Sequence, residues 1–214
     1  MSILNKLATS LNRKDEVPNQ ELAKKIVQSD DSKAVKELTD HLKSKNKGIQ
    51  AHCSKVLYEI GVEKPALIKD YIRDFLSLLN DKNNRLAWGG MTALSSITSA
   101  SPGAIFKILP KLIDAANKGS VITRDNLVSI LIKLEAQVEF TGKVFPLLIE
   151  QLTTCPTNQL PMYAENAIPV INKSNKIPFI KILQQRLPEV ESEPKKKRIL
   201  KVLKTVWLSN CFVP

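Results

Sequence analysis

Apolar residues recur along this chain at p, p+4 and p+7, the spacing of one helical face. Cys53, Leu57 and Ile60 form the first such triple. Gly90, Leu94 and Ile97 follow 37 residues on, then Leu127, Leu131 and Leu134, then Ala164, Ile168 and Ile171, each at the same step. Ile199, Leu203 and Val206 come 35 residues later. The p+3 position is also small or apolar in every copy: Val56, Ala93, Ile130, Ala167 and Val202.

A second series precedes the first at the same period. Val35, Ile72, Leu109 and Pro146 belong to it, as do Leu38, Phe75, Leu112 and Ile149. Leu42, Leu79 and Ala116 continue it until Thr153 interrupts, and Phe179, Ile182 and Leu183 start a slipped fifth copy. Each unit therefore carries two predicted helices, A then B. Polar linkers separate them: Lys45–Gly48, Asp81–Asn84, Asn117–Ser120 and Thr154–Asn158. Pro65, Pro102, Pro178 and Pro194 fall near helix starts, where a missing N–H costs little. Units are predicted at residues 31–62, 63–99, 100–136, 137–173 and 174–208, after N-terminal cap helices over 1–30 and before a tail over 209–214. One helix pair cannot bury its apolar stripe alone, so the pairs must stack into an α-solenoid.

The B segments resemble HEAT repeats of the armadillo-like helical class, whose second helix alternates small residues and ends in Ala-Leu and an aliphatic. The copy running from Asn84 through Ala93-Leu94 to Ile97 carries the resemblance best. The resemblance implies a right-handed stack of about five antiparallel helix pairs, with the B helices lining a concave surface. The family's Arg in helix B is matched by Arg124 alone; Gln50, Ala87 and Pro161 stand there in other copies. Pro169 should kink the fourth B helix.

Composition agrees with helix: aromatics are 5% and glycines only 7 of 214 residues, low for a sandwich or barrel. The uncharged run from Leu86 to Phe106 is too polar for a membrane span and is broken by a turn at Ser101-Pro102-Gly103. The start has no continuous apolar segment of a signal peptide. Ile3, Leu4, Leu7 and Leu11 share a helical face, which reads as a capping helix or as a membrane-surface or transit helix. Cys53, Cys155 and Cys211 are odd in number and widely spaced, which points to a reducing, cytoplasmic setting.

Candidate chemistry is sparse. His52 and Cys53 are adjacent and point about 100° apart on a helix, which precludes a nucleophile–base pair. Cys53 sits on the buried stripe and His41 near a helix end. No metal spacing and no phosphate-loop motif occurs, and Gly89-Gly90 within a helix fits close packing. No cofactor, metal site or catalytic residue is expected. Some DNA alkylpurine glycosylases are built from HEAT-like repeats, and Trp88, Asp125 and Tyr163 can be read that way, but no acid lies one turn beyond Trp88.

Positions p−2, p+2 and p+5 lie opposite the core stripe. Among them Lys55, Tyr58, Trp88, Thr92, Asp125, Ser129, Met162 and Asn166 form the candidate surface for a protein partner, with Trp88 as anchor or as a residue buried against a neighbouring repeat. The net charge of +11 concentrates at the C-terminal end, where residues 171–214 hold 10 Lys/Arg against 3 acids. Lys197, Lys201 and Lys204 form a ridge there, flanked by Lys196 and Arg198. That ridge is a candidate polyanion or nucleic-acid site, and Pro194–Arg198 resembles a nuclear-import signal. The sequence predicts a non-catalytic protein-binding scaffold, with nucleic-acid binding as the alternative.

Overall fold

The computed structural model describes residues 2–208; Cys211 and the predicted tail lie outside the described residues. Every regular element among them is helical. The α-helices are α1 (Val17–Ser29), α2 (Ser32–Asp40), α3 (Lys47–Glu63), α4 (Ile72–Leu78), α5 (Asn84–Ile97), α6 (Pro102–Lys118), α7 (Val121–Glu135), α8 (Phe145–Thr154), α9 (Leu160–Ala167), α10 (Lys176–Arg186) and α11 (Glu193–Leu208). Consecutive helices pack as pairs at α2/α3, α4/α5, α8/α9 and α10/α11. Two compact units divide the chain, Met1–Leu127 and Val128–Pro214.

In the first unit the B helices α1, α3 and α5 lie side by side, and α2 and α4 pack on α3 and α5. The stripe residues drive this: Cys53, Leu57, Ile60, Leu94, Ile97 and Leu127 are fully buried. Burial, with the nearby Glu37 charge adding, pushes the Cys53 thiol up to about 12, so it is an inert core group. Asn caps start two B helices. The Asn46 carboxamide oxygen accepts from Gly48 N–H at 3.0 Å and Ile49 N–H at 3.2 Å, and that of Asn83 accepts from Arg85 N–H at 3.1 Å. The N-terminal segment is not an amphipathic α-helix. Residues Ile3–Lys6 form a 3₁₀ turn on α2, Ile3 and Leu7 are buried, and Leu11 is exposed. Helix α1 packs on α3 and contacts the turn Ile3–Lys6.

The uncharged run breaks as expected: α5 ends at Ile97 and α6 begins with Pro102 at its first position. No helix among the described residues is long and apolar enough to cross a membrane.

Two adjacent glycines let α5 approach both neighbours. A Cβ on Gly90 would lie 2.6 Å from the Phe75 carbonyl oxygen of α4, and one on Gly89 would lie 2.0 Å from Ser54 Oγ of α3. A backbone carbonyl cannot swing aside and a hydroxyl can. Gly90→Ala is therefore expected to lower stability by roughly 1–3 kcal/mol. Gly89→Ala should be near neutral, its helix-propensity gain of about 1 kcal/mol offsetting the shift of Ser54. Urea denaturation of both variants checks this; equal midpoints would refute the assigned close approach to α4.

In the second unit α10 packs on α8 and α11 on α9. Three details depart from the predicted stripes, the first being Leu203, which is half-buried and lines an open recess while Ile199 and Val206 are buried. Pro146 occupies the second position of α8, where its missing N–H is harmless, so it starts the helix and does not sit on its buried face. The stripe slips by one residue: Phe145, Leu148 and Leu152 are buried, while Pro146 is exposed and Ile149 only half-buried. Pro169 does more than kink the fourth B helix: α9 stops at Ala167 and a 3₁₀ turn, Ile168–Val170, follows. Val170 turns inward, and Ile168 and Ile171 are half-buried.

Candidate functional site

Four of the predicted partner-facing residues come together in the first unit. Because Gly89 has no side chain, α5 lies close to α3 there, and the joint between them is a trough of about 350 Å³. Tyr58 and Lys55 of α3 line it with Trp88 and Thr92 of α5, and both aromatic rings are half-buried. Trp88 is thus neither a core residue nor a protruding one.

The trough is rich in positioned donors. Lys55 Nζ pairs with Glu59 at 2.5 Å and sits 4.7 Å from the Tyr58 ring centre. Burial works against the ammonium, but the Glu59 hydrogen bond and Tyr58 outweigh it and hold the Lys55 pKa above the ordinary lysine value. His52 accepts the Thr9 backbone N–H through Nδ1 at 2.9 Å, which leaves the ring proton of the neutral tautomer on Nε2. Thr92 Oγ1 accepts from Asn126 Nδ2 at 3.2 Å, so α7 fixes its hydroxyl.

His52, Arg85, Glu16 and Ile122 line the trough without having been singled out by their spacing. The signal was present for two of them. Arg85 and Ile122 are at p−5, one helical turn before p−2, so the outward stripe extends one turn further back than assumed.

The other candidates are placed differently. Asp125 is half-buried on α7 and does not line the trough. Ser129, Met162 and Asn166 belong to the second unit, the first two half-buried and Asn166 exposed. Tyr163 is fully buried.

The basic ridge is smaller than its five cations suggest. Arg198 makes a two-pronged ion pair with Glu165 on α9, at 2.8 and 2.6 Å. That hydrogen bonding holds the Glu165 carboxyl below its ordinary value and raises Arg198. Lys196 is half-buried and pairs with Glu193 at 3.0 Å. Lys197, Lys201 and Lys204 remain exposed on one ridge of α11.

No protein-family profile matches the chain, and no curated protein sequence matches it. Similar solved structures exist. Two crystal structures of engineered proteins each superpose over 96% of this chain with TM-scores of 0.58. They share 17% and 19% identity with it and are themselves covered over 98% and 100% of their lengths. A third engineered protein matches 94% of this chain and 58% of its own, at 16% identity and TM-score 0.58. At these identities the likeness concerns the fold alone.

Proposed function

We propose that the chain is a HEAT-like, non-catalytic binding module that holds a segment of a partner protein along its B-helix face, with the α3/α5 trough as the anchor site. One observation supports it above the others: two half-buried aromatics, Tyr58 and Trp88, flank a trough floored at Gly89 and edged by donors from Lys55, His52 and Arg85. Tyr, Trp and Arg are the side chains that dominate protein interfaces, and they do so where neighbouring groups exclude water. A cytoplasmic setting belongs to the same proposal.

Nucleic-acid binding by α11 is the weaker alternative, because Arg198 and Lys196 already face carboxylates. The readings separate in one experiment. A photo-crosslinking residue is placed at Thr92 in the trough and, as control, at the exposed Lys107 on α6. The Thr92 probe should trap a discrete protein, in nuclease-treated and untreated cells alike, and the Lys107 probe should not. Trp88→Ala should remove that product without loss of helical circular dichroism, and replacing Lys197, Lys201 and Lys204 by Gln should leave it intact. A product indifferent to Trp88, or one that disappears with nuclease and with the lysines, would reject the proposal.

A further inference from the structure

The second unit carries a surface that the proposed function leaves unused. On α11, Leu200, Leu203 and Trp207 follow one another at helical spacing, and on α10 Ile177 and Ile180 are one turn apart. Trp207 is 65% exposed, Ile177 70% and Leu200 50%. Single exposed apolar residues are ordinary; several on two adjoining helices mark an interaction surface. Between them is a recess of about 260 Å³, walled by Ile180 and Gln184 on one side and Leu203, Lys204 and Trp207 on the other.

The charge around this recess has one sign. Helix α10 contains no acidic residue, and the single acid of α11, Glu193, is in its first turn and paired with Lys196. Lys204 lines the recess, and Lys176 Nζ lies 6.0 Å from the centre of the Trp207 ring. Lys181 stands one turn beyond Ile177 on α10.

Each feature narrows the occupant. A recess of this size accepts protruding side chains, which a flat bilayer surface does not supply. A phosphate backbone matches the lysines and offers nothing to Trp207, Leu200 and Ile177. A second copy of this chain would set Lys176 and Lys204 against lysines of the same surface, since a symmetric contact pairs a patch with itself. What complements both features is an amphipathic helix with an apolar stripe and carboxylates beside it.

We propose that the α10/α11 groove docks an acidic amphipathic helix of a partner protein. Its apolar side chains at i, i+3 or i+4 and i+7 fill the recess against Trp207 and Leu203, and its flanking Glu or Asp residues face Lys176 and Lys204.

Fluorescence anisotropy on the full chain tests this with designed peptides. One probe has a Leu/Phe stripe flanked by Glu, a second has the same stripe flanked by Lys, and a third keeps the Glu residues but replaces the stripe by Ser. At near-physiological salt only the first should bind. Trp207→Ala should weaken it by at least about tenfold, the scale of an interface anchor. Trp207 is mostly exposed, so the variant should keep its melting temperature. Replacing Lys176 and Lys204 together by Glu should reverse the preference, so that the Lys-flanked peptide binds and the Glu-flanked one does not. Equal binding of the first and second probes, or indifference to both variants, would overturn the proposal. So would tighter Trp207-dependent binding to an oligonucleotide or to anionic vesicles, self-association that Trp207→Ala abolishes, or a gain in peptide affinity on deleting residues 209–214.

Discussion

Leu131→Asp is expected to abolish the native fold. Leu131 is fully buried on α7, between Leu127 and Leu134 on the same stripe, both also buried. An aspartate there must either lose its hydration without a partner or take up a proton, and the site also loses the packing of the leucine. A cost of at least about 4 kcal/mol follows, a large part of the total stability of an ordinary domain. Ser129, two residues back, points away from that stripe and is half-buried. Ser129→Asp should cost about 1 kcal/mol or less, as expected for a change away from the core. Thermal unfolding followed by circular dichroism distinguishes them. Wild-type-like melting of Leu131→Asp would mean that the B-helix stripe is misplaced.

The stripes were legible because they need only the 3.6-residue period. At 53/57/60, 90/94/97 and 127/131/134 the spacing chose the buried residues of α3, α5 and α7 without error. It failed where proline has two meanings. Pro146 continues the numerical series and also starts a helix, and the second role decided the register of α8. The helix starts held a repeating signal that apolar spacing ignores. Asn46 and Asn83 are 37 residues apart and both cap B helices. The N-terminal segment misled for a different reason: its apolar residues fit a helical face, but the first turn is 3₁₀ and only α1 joins the B row.

The site was half legible. Lys55, Tyr58, Trp88 and Thr92 were chosen as the face opposite the core, and they do meet in one trough. The spacing leaves Trp88 either an anchor or a residue buried against a neighbouring repeat, and all four are half-buried, because a helical period divides inside from outside but does not say how near the next B helix lies. Contacts between neighbouring pairs have their own spacing. Asn126 reaches Thr92 over 34 residues, Arg198 reaches Glu165 over 33, and Arg186 reaches Leu152 over 34. Each is one repeat less about one turn. Opposite charges at that separation would have foretold that Glu165 neutralises Arg198, which is why the ridge was overcounted.

Arg186 is the residue whose importance the sequence hid most completely, and its loss gives the second large effect. It comes seven residues after Phe179 and three after Leu183 on α10, and it is buried. One guanidinium nitrogen donates to the carbonyl of Leu152 at 2.9 Å and that of Cys155 at 2.7 Å, at the C-terminal end of α8. The other edge of the group donates to Glu189 at 2.9 and 2.8 Å. The end of a helix leaves carbonyls without intrahelical partners and carries partial negative charge, so a cation there satisfies both needs. Truncation leaves those buried acceptors and the Glu189 carboxylate without their donor. Arg186→Ala is expected to lower stability by roughly 2–4 kcal/mol. Arg186→Met restores most of the volume but no donor, so it should recover only a small part. Arg186→Lys restores one charged donor without the planar fork and should fall between. Hydrogen exchange places the effect: amides in the last turn of α8 and in residues 155–159 should lose protection in Arg186→Ala, while those of α3 and α5 keep theirs relative to the new global stability. If Met matches wild type, the arginine contributes packing alone and its role as the cap of α8 is wrong.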